Sequence, residues 1–555
     1  MTAEETLKKI IAKAASSFGI ELKEEDIVIE RSKDPIHGDY STNAAMKFSR
    51  LAKKSPRDFA ADLVSAFASN EEFSCVEKVE IAGPGFINFF MKQDVLANVV
   101  SKVIEEGESF GRLPKNGKKV NVEFVSANPT GDLHLGHTRI AAVGDTISNI
   151  LDWAGYDVTR EFYVNDCGNQ IEHLGNSIRA RYHELFGEPL TLGDDDYHGE
   201  DLIAIAKSIK DQYGDAYLKD SQESHDFFIR FGIDAELGKL KKDLAEFRVT
   251  FDKFTYESDI RKGGNVSKTI EALREKGYVY EEDGATFLKT TAFLDDKDRP
   301  IVKKDGLFTY FAPDICYHYN KMERGYDLLI DVLGADHHGY INRLKSVLMM
   351  KGYSPDALDV ELVQIVRVYR DGVEVKMSKR TGKAIAHRDL VEDIGVDAVR
   401  YFFVERSQSS HLDFNYNLAM EQSSSNPVYY AQYTHARLCG ILAKGKEFYP
   451  LNYKGDLLVS DSEKDLLLLL KDYPNVIQDA LSENEPYKVT NYVHTLAVAI
   501  NEFYTKCYVL DKNNLPLTNE RLGLVEACRI VLADALGLIG VSAPERMSSQ
   551  DKEEA

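Results

Sequence analysis

The sequence predicts an α/β protein in three parts, and three observations support this fold class. Over 120–125 apolar and polar residues alternate as in a strand, and over 140–154 apolar residues recur every three or four positions as in a helix. A second apolar strand pattern follows at 327–333. From about 407 onward the apolar stripes have helical spacing alone. We therefore predict an N-terminal α/β module over 1–110, a central α/β domain over 111–405 with a mostly helical insertion at about 175–290, and a C-terminal all-α bundle over 406–555.

The composition is that of a multidomain globular protein. At 555 residues the chain is too long for one hydrophobic core, and 43% hydrophobic with 28% charged residues is ordinary for such a protein. The N-terminal residues do not resemble a signal peptide, and no apolar run approaches the length of a membrane span. Six cysteines without a C-x-x-C pair are typical of reduced thiols in a cytoplasmic protein. A net charge of −22 does not exclude a nucleic-acid partner, since such a partner needs only a local basic track.

The first candidate site is the turn between the first strand and the first helix of the central domain. The segment 126–132 breaks the strand pattern with Asn, Pro and Gly residues. His134 and His137 then project from one side of the first helical turn, because residues three apart share a helix face. We expect Thr130 or Asp132 to cap the start of this helix.

A helix N-terminus at the end of a buried strand favours phosphate. Its free amide groups and positive dipole suit phosphate oxygens, and two imidazoles beside them add further hydrogen-bonding groups. Gly136 between the histidines allows a ligand to approach the backbone closely. Two exposed histidines at a helix start are the alternative interpretation. A zinc site is disfavoured, because neither an H-E-x-x-H pattern nor a nearby cysteine pair accompanies them.

The second candidate site is a basic loop late in the central domain. Asp371-Gly372 predicts a type I′ hairpin turn, after which the short strand 373–375 leads into Lys376-Met377-Ser378-Lys379. The lysines are point charges suited to a triphosphate, although a solvated basic loop is the alternative. His-Leu-Gly-His early in the domain and Lys-Met-Ser-Lys late in it together resemble the paired signatures of class I aminoacyl-tRNA synthetases.

This resemblance implies a Rossmann-like catalytic domain that uses ATP. It implies that the catalytic residues are His134, His137, Lys376 and Lys379. It implies that ATP is bound by Asn128, Pro129, Thr130, Gly131, His134, Gly136, His137, Met377, Ser378 and Lys379. A metal pair at His337-His338 is disfavoured because adjacent residues on a helix point apart, and we expect no resident metal site.

Further segments resemble arginyl-tRNA synthetases. They are residues 37–43, 83–89, 123–131, 165–170, 310–314, 426–437 and 542–547. The resemblance therefore spans essentially the whole chain. Leu135, where many relatives have Ile, is a conservative difference.

The predicted arginine pocket combines carboxylates with an aromatic side chain. A guanidinium is planar, permanently charged and rich in donors, so Glu123, Asp314 and Tyr310 suit it. The resemblance assigns Glu123 and Asn128 to the α-amino end, and Tyr310 and Asp314 to the guanidinium. A helix-capping role for Asp314 after Pro313 is the alternative. The predicted arginine-binding set is completed, at the carboxyl edge of the sheet, by Asn165, Asp166 and Gln170.

The resemblance also implies two surfaces that bind tRNA. The predicted contact residues are Phe86, Asn88, Tyr430, Tyr433, Arg437 and Met547. The first two belong to the N-terminal module and are suited to an unstacked base of the tRNA elbow, with a buried Phe and a turn-capping Asn as the alternative. The tyrosines and the arginine share one helix face of the bundle and are expected to stack on anticodon bases. The methionine joins them by resemblance alone, and one tyrosine could instead belong to the bundle core.

The implied function is that of an arginine–tRNA ligase with L-arginine, ATP and tRNA(Arg) as partners. We expect Mg²⁺ to accompany ATP, no tightly bound cofactor, no membrane association, and a monomer in the cytoplasm. The resemblance further implies that tRNA must bind before arginine is activated. A synthetase for cysteine or glutamine would have no reason to carry the Glu123, Tyr310 and Asp314 set. A catalytically inactive paralogue would be expected to lack His134, His137 or Lys379, and all three are present.

Overall fold

The structure is a computed structural model that describes residues 3–32, 37–67, 71–193, 195–377, 385–448, 453 and 455–547. Two of the predicted ATP-binding residues, Ser378 and Lys379, lie outside the described residues. No helix in the described ranges is long and apolar enough to cross a lipid bilayer.

Helices and strands alternate through most of the described ranges. The α-helices are α1 Ala3–Ser16, α2 Ala44–Ala52, α3 Pro56–Phe67, α4 Gln93–Glu106, α5 Leu135–Trp153, α6 Asn169–Glu184, α7 Glu200–Tyr213, α8 Gln222–Glu246, α9 Glu257–Arg261, α10 Asn265–Glu275, α11 Phe311–Glu323, α12 Ile341–Lys351, α13 His387–Ile394, α14 Val396–Val404, α15 Tyr416–Met420, α16 Pro427–Gly445, α17 Asp461–Ser482, α18 Tyr487–Lys506 and α19 Leu515–Leu538. The strands are β1 Ile29–Arg31, β2 Tyr40–Thr42, β3 Val76–Ala82, β4 Phe86–Met91, β5 Lys119–Phe124, β6 Asp157–Val164, β7 Lys253–Tyr256, β8 Val279–Glu282, β9 Ala285–Leu288, β10 Arg299–Val302, β11 Leu328–Gly334, β12 Leu358–Val363, β13 Val366–Arg370, β14 Val373–Val375 and β15 Leu412–Asn415.

The central domain is built on a parallel sheet with strand order β12-β11-β5-β6-β7. The chain leaves β5 toward β6 and β7 on one side and later returns to place β11 and β12 on the other side. The strand order therefore reverses between β5 and β11. Ligands of open α/β sheets bind at such a reversal, outside the carboxyl ends of the strands.

Strand β5 is buried on both faces, although its sequence alternates. Val120, Val122 and Phe124 form the predicted apolar face, and Phe124 packs so closely on Gly144 of α5 that a β-carbon there would collide with its ring. The polar residues Asn121 and Glu123 are buried as well, with relative exposures of 0% and 7%. One face of β5 therefore packs in the core and the other contributes polar groups to the interior.

The segment expected to be a helical insertion, about 175–290, contains a strand of the central sheet. Strand β7 pairs in parallel with β6, and β8, β9 and β10 form a separate antiparallel sheet. The segment is mostly helical, as expected, but the sequence did not indicate that it contributes a strand to the central sheet. A strand of four residues at a sheet edge has too few positions to show a period of two among charged neighbours.

The C-terminal part also contains a strand that the sequence did not indicate. Strand β15 pairs in parallel with β13, and β14, β13 and β15 form a small sheet ahead of the helical bundle. Leu412 and Phe414 are buried while the two residues between and after them are exposed, so the alternation is present but only four residues long. The predicted turn at Asp371-Gly372 is confirmed, because both residues have the positive φ, 54° and 75°, that a type I′ turn requires.

Candidate active site

A cleft of about 680 Å³ opens at the carboxyl ends of β5 and β11. The predicted site residues that line it are Glu123, Asn128, Thr130, Gly131, His134, His137, Asn165, Tyr310 and Asp314. Residues from both halves of the central domain thus meet at the point where the strand order reverses. We call the part around His134, His137 and the start of α5 the histidine end, and the part around Asp314 and α11 the carboxylate end.

A strained elbow directs the chain from β5 into the cleft. Val125 and Ser126 have φ values of 67° and 41°, and the Ser126 amide donates to the Phe124 carbonyl at 2.9 Å, which makes a γ-turn. A positive φ at a β-branched residue costs about 1–3 kcal/mol and persists only where neighbouring contacts enforce it. Here Ser126 Oγ donates to Glu123 Oε1 at 3.0 Å and accepts the Tyr163 amide at 3.1 Å. The elbow is therefore held by β6.

At the histidine end the two imidazoles cap helix α5 themselves. His134 Nδ1 accepts the His137 amide at 3.3 Å, and His137 Nδ1 accepts the His134 amide at 3.4 Å. The expectation that Thr130 or Asp132 caps this helix was wrong, and Asp132 instead pairs with Lys239 of α8. The two rings stack with centroids 3.5 Å apart.

This capping arrangement determines the protonation of both histidines. A ring nitrogen that accepts an amide hydrogen carries no proton, so each neutral ring must carry its proton on Nε2. Burial lowers the pKa of His134, and burial followed by the neighbouring His134 lowers the pKa of His137 to about 3. At neutral pH each imidazole is therefore uncharged and has one Nε2–H donor available to a ligand.

Gly136 makes room for this ring pair. A β-carbon at that position would lie 2.9 Å from His134 Cε1. Gly136 therefore has an internal packing role, and the expectation that it lets a ligand approach the backbone stays a prediction. Neither Gly136 nor Pro129 lines the cleft.

At the carboxylate end, Asp314 and Tyr310 lie at the start of α11. Tyr310 is the residue that precedes the helix and is 67% exposed, so Asp314 is not the helix cap. Burial, with further contributions from Glu123, Glu257 and Asp331, raises the pKa of Asp314 to about 7, while His318 acts to lower it. Asp314 is thus poised between its neutral and its charged form at physiological pH.

Beneath Asp314 lies a network of buried charges that the sequence interpretation missed. Lys321, with 0% exposure, pairs with Glu123 and with Asp331, the latter at 2.8 Å. His318 Nε2 contacts Asp331 at 2.8 Å. A usable sequence signal existed, because 314, 318 and 321 follow helical spacing and Asp331 is a lone charge in the apolar strand β11.

Family models match the chain along most of its length. The arginyl-tRNA synthetase N-terminal domain matches residues 5–91, the catalytic domain of class I tRNA synthetases of the arginine type matches 99–440, and the DALR anticodon-binding domain matches 431–547. Proteins named arginine–tRNA ligase from Bacillus pumilus and Bacillus subtilis are each 48% identical over 552 residues, which is 98% of this chain and 99% of theirs. The chain belongs to the arginyl-tRNA synthetase family.

Solved structures agree with the sequence comparison. A crystal structure described as a putative arginyl-tRNA synthetase from Campylobacter jejuni has a TM-score of 0.76 at 31% identity and covers 82% of this chain and 100% of its own. Arginyl-tRNA synthetase from Thermus thermophilus has a TM-score of 0.77 over 98% of this chain and 100% of its own, at 21% identity. The latter supports the fold alone.

The turn that carries His134 contacts the segment that begins at Ile385. Ala386 forms a β-bridge with His134, and the His387 amide donates to the Leu133 carbonyl at 2.8 Å. The residues that follow the Lys-Met-Ser-Lys loop thus return to the turn that carries the histidines. Lys376 and Met377, which precede the undescribed part of the loop, are exposed and do not line the cleft.

The predicted polar residues after β6 are only partly brought into the cleft. Asn165 lines it, and Gln170 Oε1 accepts from the Asn128 side chain at 2.8 Å. Asp166 does not reach the cleft, because its two oxygens accept the Ser258 amide and hydroxyl at 2.8 and 2.6 Å. That contact lies at the start of helix α9, and the assignment of Asp166 to arginine binding stays a prediction.

The predicted tRNA-binding residues divide between exposed and covered positions. Phe86 is 38% exposed, but Asn88 is only 4% exposed and is not presented to a base. Tyr430 packs against the bundle core, which is the alternative foreseen for one tyrosine. Tyr433 and Arg437 remain at the surface, with the guanidinium 4.8 Å from the ring centroid.

A stacked ladder of side chains extends this surface beyond the predicted residues. Tyr429 stacks on Tyr433, and Arg437 lies between Tyr433 and Tyr504 of α18, at 4.9 Å from the latter ring. Sequence reasoning missed Tyr504 because it lies on another helix. Met547 is partly exposed at the end of the segment 542–547. This segment contacts helix α16 through His435 Nδ1, which lies 2.9 Å from the Pro544 carbonyl oxygen.

Proposed function

We propose that the cleft binds ATP at its histidine end and L-arginine at its carboxylate end. The chain is an arginine–tRNA ligase, which activates L-arginine with ATP and transfers it to the 3′ end of tRNA(Arg), with release of AMP and pyrophosphate. The observation that carries the assignment of the two ends is their chemistry. Neutral donors at a helix N-terminus suit phosphate, and a buried carboxylate beside an exposed tyrosine suits a guanidinium.

In the first step the arginine carboxylate attacks the α-phosphorus of ATP, and the bond to pyrophosphate breaks. The product is arginyl-adenylate, and no bond to the protein forms. The α5 amides and the Nε2–H groups of His134 and His137 would donate to phosphate oxygens as negative charge develops on them. Lys376 and Lys379 would close over the departing pyrophosphate, and Mg²⁺ bound with ATP would offset the remaining charge.

Arginine recognition would use charge and shape together. Asp314 and Tyr310 would hold the guanidinium, and Glu123 and Asn128 the α-amino end. Because burial leaves Asp314 partly protonated at neutral pH, binding of a permanently charged guanidinium would release a proton. Glu123 is already paired with Lys321. Its contact with the α-ammonium group of arginine would therefore be weaker than the contact of Asp314 with the guanidinium.

In the second step a hydroxyl of the terminal ribose of tRNA attacks the arginyl carbonyl and AMP departs. The ladder Tyr429, Tyr433, Arg437 and Tyr504 would stack on anticodon bases, and Phe86 would contact the tRNA elbow. Buried contacts connect the bundle to the active site. Arg400, with 0% exposure, donates to Asp145 of α5 at 2.6 Å and to the Ile539 carbonyl after α19 at 2.9 Å.

This connection supports a requirement for bound tRNA in the first step. Helix α5 carries the histidines at its N-terminus, so a shift of the bundle would be transmitted to the phosphate site. We further propose that the enzyme is a monomer and that it works in the cytoplasm. The second point is supported by the six cysteines, which are all free thiols.

ATP–pyrophosphate exchange with each of the twenty amino acids tests this function. We expect arginine alone to support exchange, and only when cognate tRNA is present. Exchange at the same rate without tRNA would refute the coupling but leave the enzyme class intact. Absence of exchange with every amino acid, tRNA included, would instead indicate an inactive paralogue.

A further inference from the structure

His318 is held by two acceptors at the inner end of the cleft. Its Nδ1 lies 2.8 Å from the Asp314 carbonyl oxygen, and its Nε2 lies 2.8 Å from Asp331 Oδ2. A carbonyl oxygen accepts hydrogen bonds and cannot donate one. The Asp331 carboxylate also only accepts hydrogen bonds, because it is ionised. Its other oxygen binds the Lys321 ammonium group at 2.8 Å.

Two acceptors require two donors on the ring. A neutral imidazole has one N–H and one bare nitrogen, so it can satisfy only one of these contacts. Both are satisfied when the ring is a doubly protonated imidazolium. Burial acts to lower the pKa of His318, but the charge of Asp331 and its hydrogen bond outweigh burial and raise that pKa.

The charges around the inner end of the cleft almost cancel. The carboxylates there belong to Asp314, Glu123, Asp331, Glu161 and Glu257. The cations that pair with them are His318, Lys321, Arg324 and Arg261. Among the described residues Asp314 is the one member of this set with no ion-pair partner. The cluster therefore lacks one positive charge, which is what a guanidinium supplies.

We infer that His318 is a positioning residue that stays an imidazolium in the working enzyme and so leaves Asp314 as the receptor for the substrate guanidinium. The inference rests on the proposed role of Asp314. His318 lies one helical turn from Asp314 on the same face of α11, and its positive charge favours the ionised form of that carboxylate. A neutral side chain at 318 would leave two uncompensated carboxylates, and Asp314 would ionise only at higher pH.

The charged groups that act on Asp314 come from four elements packed around it. They are His318 on α11, Glu123 on β5, Asp331 on β11 and Glu257 on α9. Asp314 in turn acts on Tyr163 of β6 and on Tyr340 before α12, and Lys321 acts on His318. Among the four groups that act on Asp314, His318 favours the ionised form, so loss of its charge should raise the pH at which Asp314 ionises.

The pH profile of arginine kcat/KM in aminoacylation tests this inference. In the wild type the value should rise with pH and level off above about 7. His318→Gln should shift the midpoint upward by about one pH unit, the low end of the effect of a nearby charge. The KM for arginine should then rise about tenfold at low pH and converge with the wild type at high pH, with kcat little changed. Asp331→Asn removes one negative charge together with the acceptor that keeps His318 protonated, so its midpoint should stay near that of the wild type, as should that of the double variant.

His183→Gln is a matched control. His183 also contacts a carboxylate, Glu188 at 2.9 Å, but through one ring nitrogen and outside the cleft. Its profile should match the wild type. If His318→Gln raises the arginine KM by the same factor at every pH, or leaves the midpoint in place, the inference is wrong. If Asp314→Asn uses arginine normally, the proposed pocket itself is wrong.

An NMR measurement on the wild-type enzyme reports the protonation of His318 directly and does not depend on the folding of a variant. Enzyme labelled with ¹⁵N-histidine contains fourteen histidines, and at pH 8 an ordinary histidine is neutral. We expect one ring whose two nitrogens are both protonated, and its signals should disappear in His318→Gln but not in His183→Gln. Absence of a doubly protonated ring that depends on residue 318 would overturn the inference.

Discussion

At the histidine end of the cleft the two imidazoles are neutral, whereas at the carboxylate end most polar side chains are charged and paired. His134 and His137 use their Nδ1 atoms to cap α5 and are held uncharged. Beneath Asp314, a network of buried charges is formed by Glu123, His318, Lys321 and Asp331. The difference reflects the substrates, since a triphosphate already carries its own charge and metal ion, while a guanidinium must be met by an opposite charge in a dry pocket.

The largest expected effect is at the carboxylate end. Asp314→Asn keeps the size of the side chain but removes the charge that should pair with the guanidinium. We expect arginine kcat/KM to fall about 10³-fold, as for the loss of one partner of a buried charge pair, while the KM for ATP changes little. Steady-state aminoacylation with each substrate varied in turn measures both. Equal losses for arginine and ATP would mean that the two ends are not chemically separate.

Loss of the buried cation should affect folding. Lys321→Met leaves Glu123 and Asp331 buried without their shared ammonium, which should reduce the free energy of unfolding by about 3–5 kcal/mol. Lys351→Met is the control, because its pair with Glu323 is much more exposed, at 29% and 60% for the two side chains, and should contribute about 1 kcal/mol or less. Urea denaturation measures both. Similar losses of unfolding free energy in Lys321→Met and Lys351→Met would show that the buried charge network does not stabilise the fold.

The histidine end should lose rate without losing affinity. His137→Asn retains an acceptor for the His134 amide but removes the Nε2–H donor. We expect kcat to fall about 10²–10³-fold with little change in the arginine KM, as for removal of one donor to a developing negative charge. Single-turnover formation of arginyl-adenylate in the presence of tRNA measures this step. An unchanged rate would remove His137 from the catalytic groups.

The smallest expected effect lies outside the cleft. Tyr433→Ala interrupts the ladder at its centre, and loss of one stacking platform is worth about 1–3 kcal/mol of tRNA affinity. The KM for tRNA should rise accordingly, while kcat at saturating tRNA stays the same. Tyr430→Phe, at the partly buried neighbour, should leave tRNA binding unchanged. A wild-type KM in Tyr433→Ala would exclude the ladder as an anticodon contact.

The histidine end was predictable because its signals are local. A strand, a breaker and a helix follow one another over 120–153, and the periodicity of each is long enough to recognise. What sequence missed there was the cap, since a histidine is an uncommon helix cap and the ring pair depends on the absence of a β-carbon at Gly136.

The carboxylate end was predictable only in part, because its contacts join residues distant in sequence. Asp314 and Tyr310 were identified, but the pairing of Glu123 with Lys321 spans 198 positions. Alternation in β5 did not show what its polar side contacts, and only the structure shows that Asn121 and Glu123 are buried there. The contact of Asp166 with Ser258 was missed for the same reason, since the two residues are 92 positions apart.

The most direct test of the contrast between the two ends is the pH dependence of kcat/KM for arginine and for ATP, measured on one enzyme preparation. Aminoacylation between about pH 6 and 9, with arginine and ATP varied separately, gives kcat/KM for each. The carboxyl pKa of Asp314 is raised, so the group is neutral below about 7 and charged above it. Arginine kcat/KM should therefore rise through this range and then level off. The KM for ATP should change less over this range, because burial lowers the pKa of both histidines. A flat arginine profile together with an ATP profile that titrates would contradict the account.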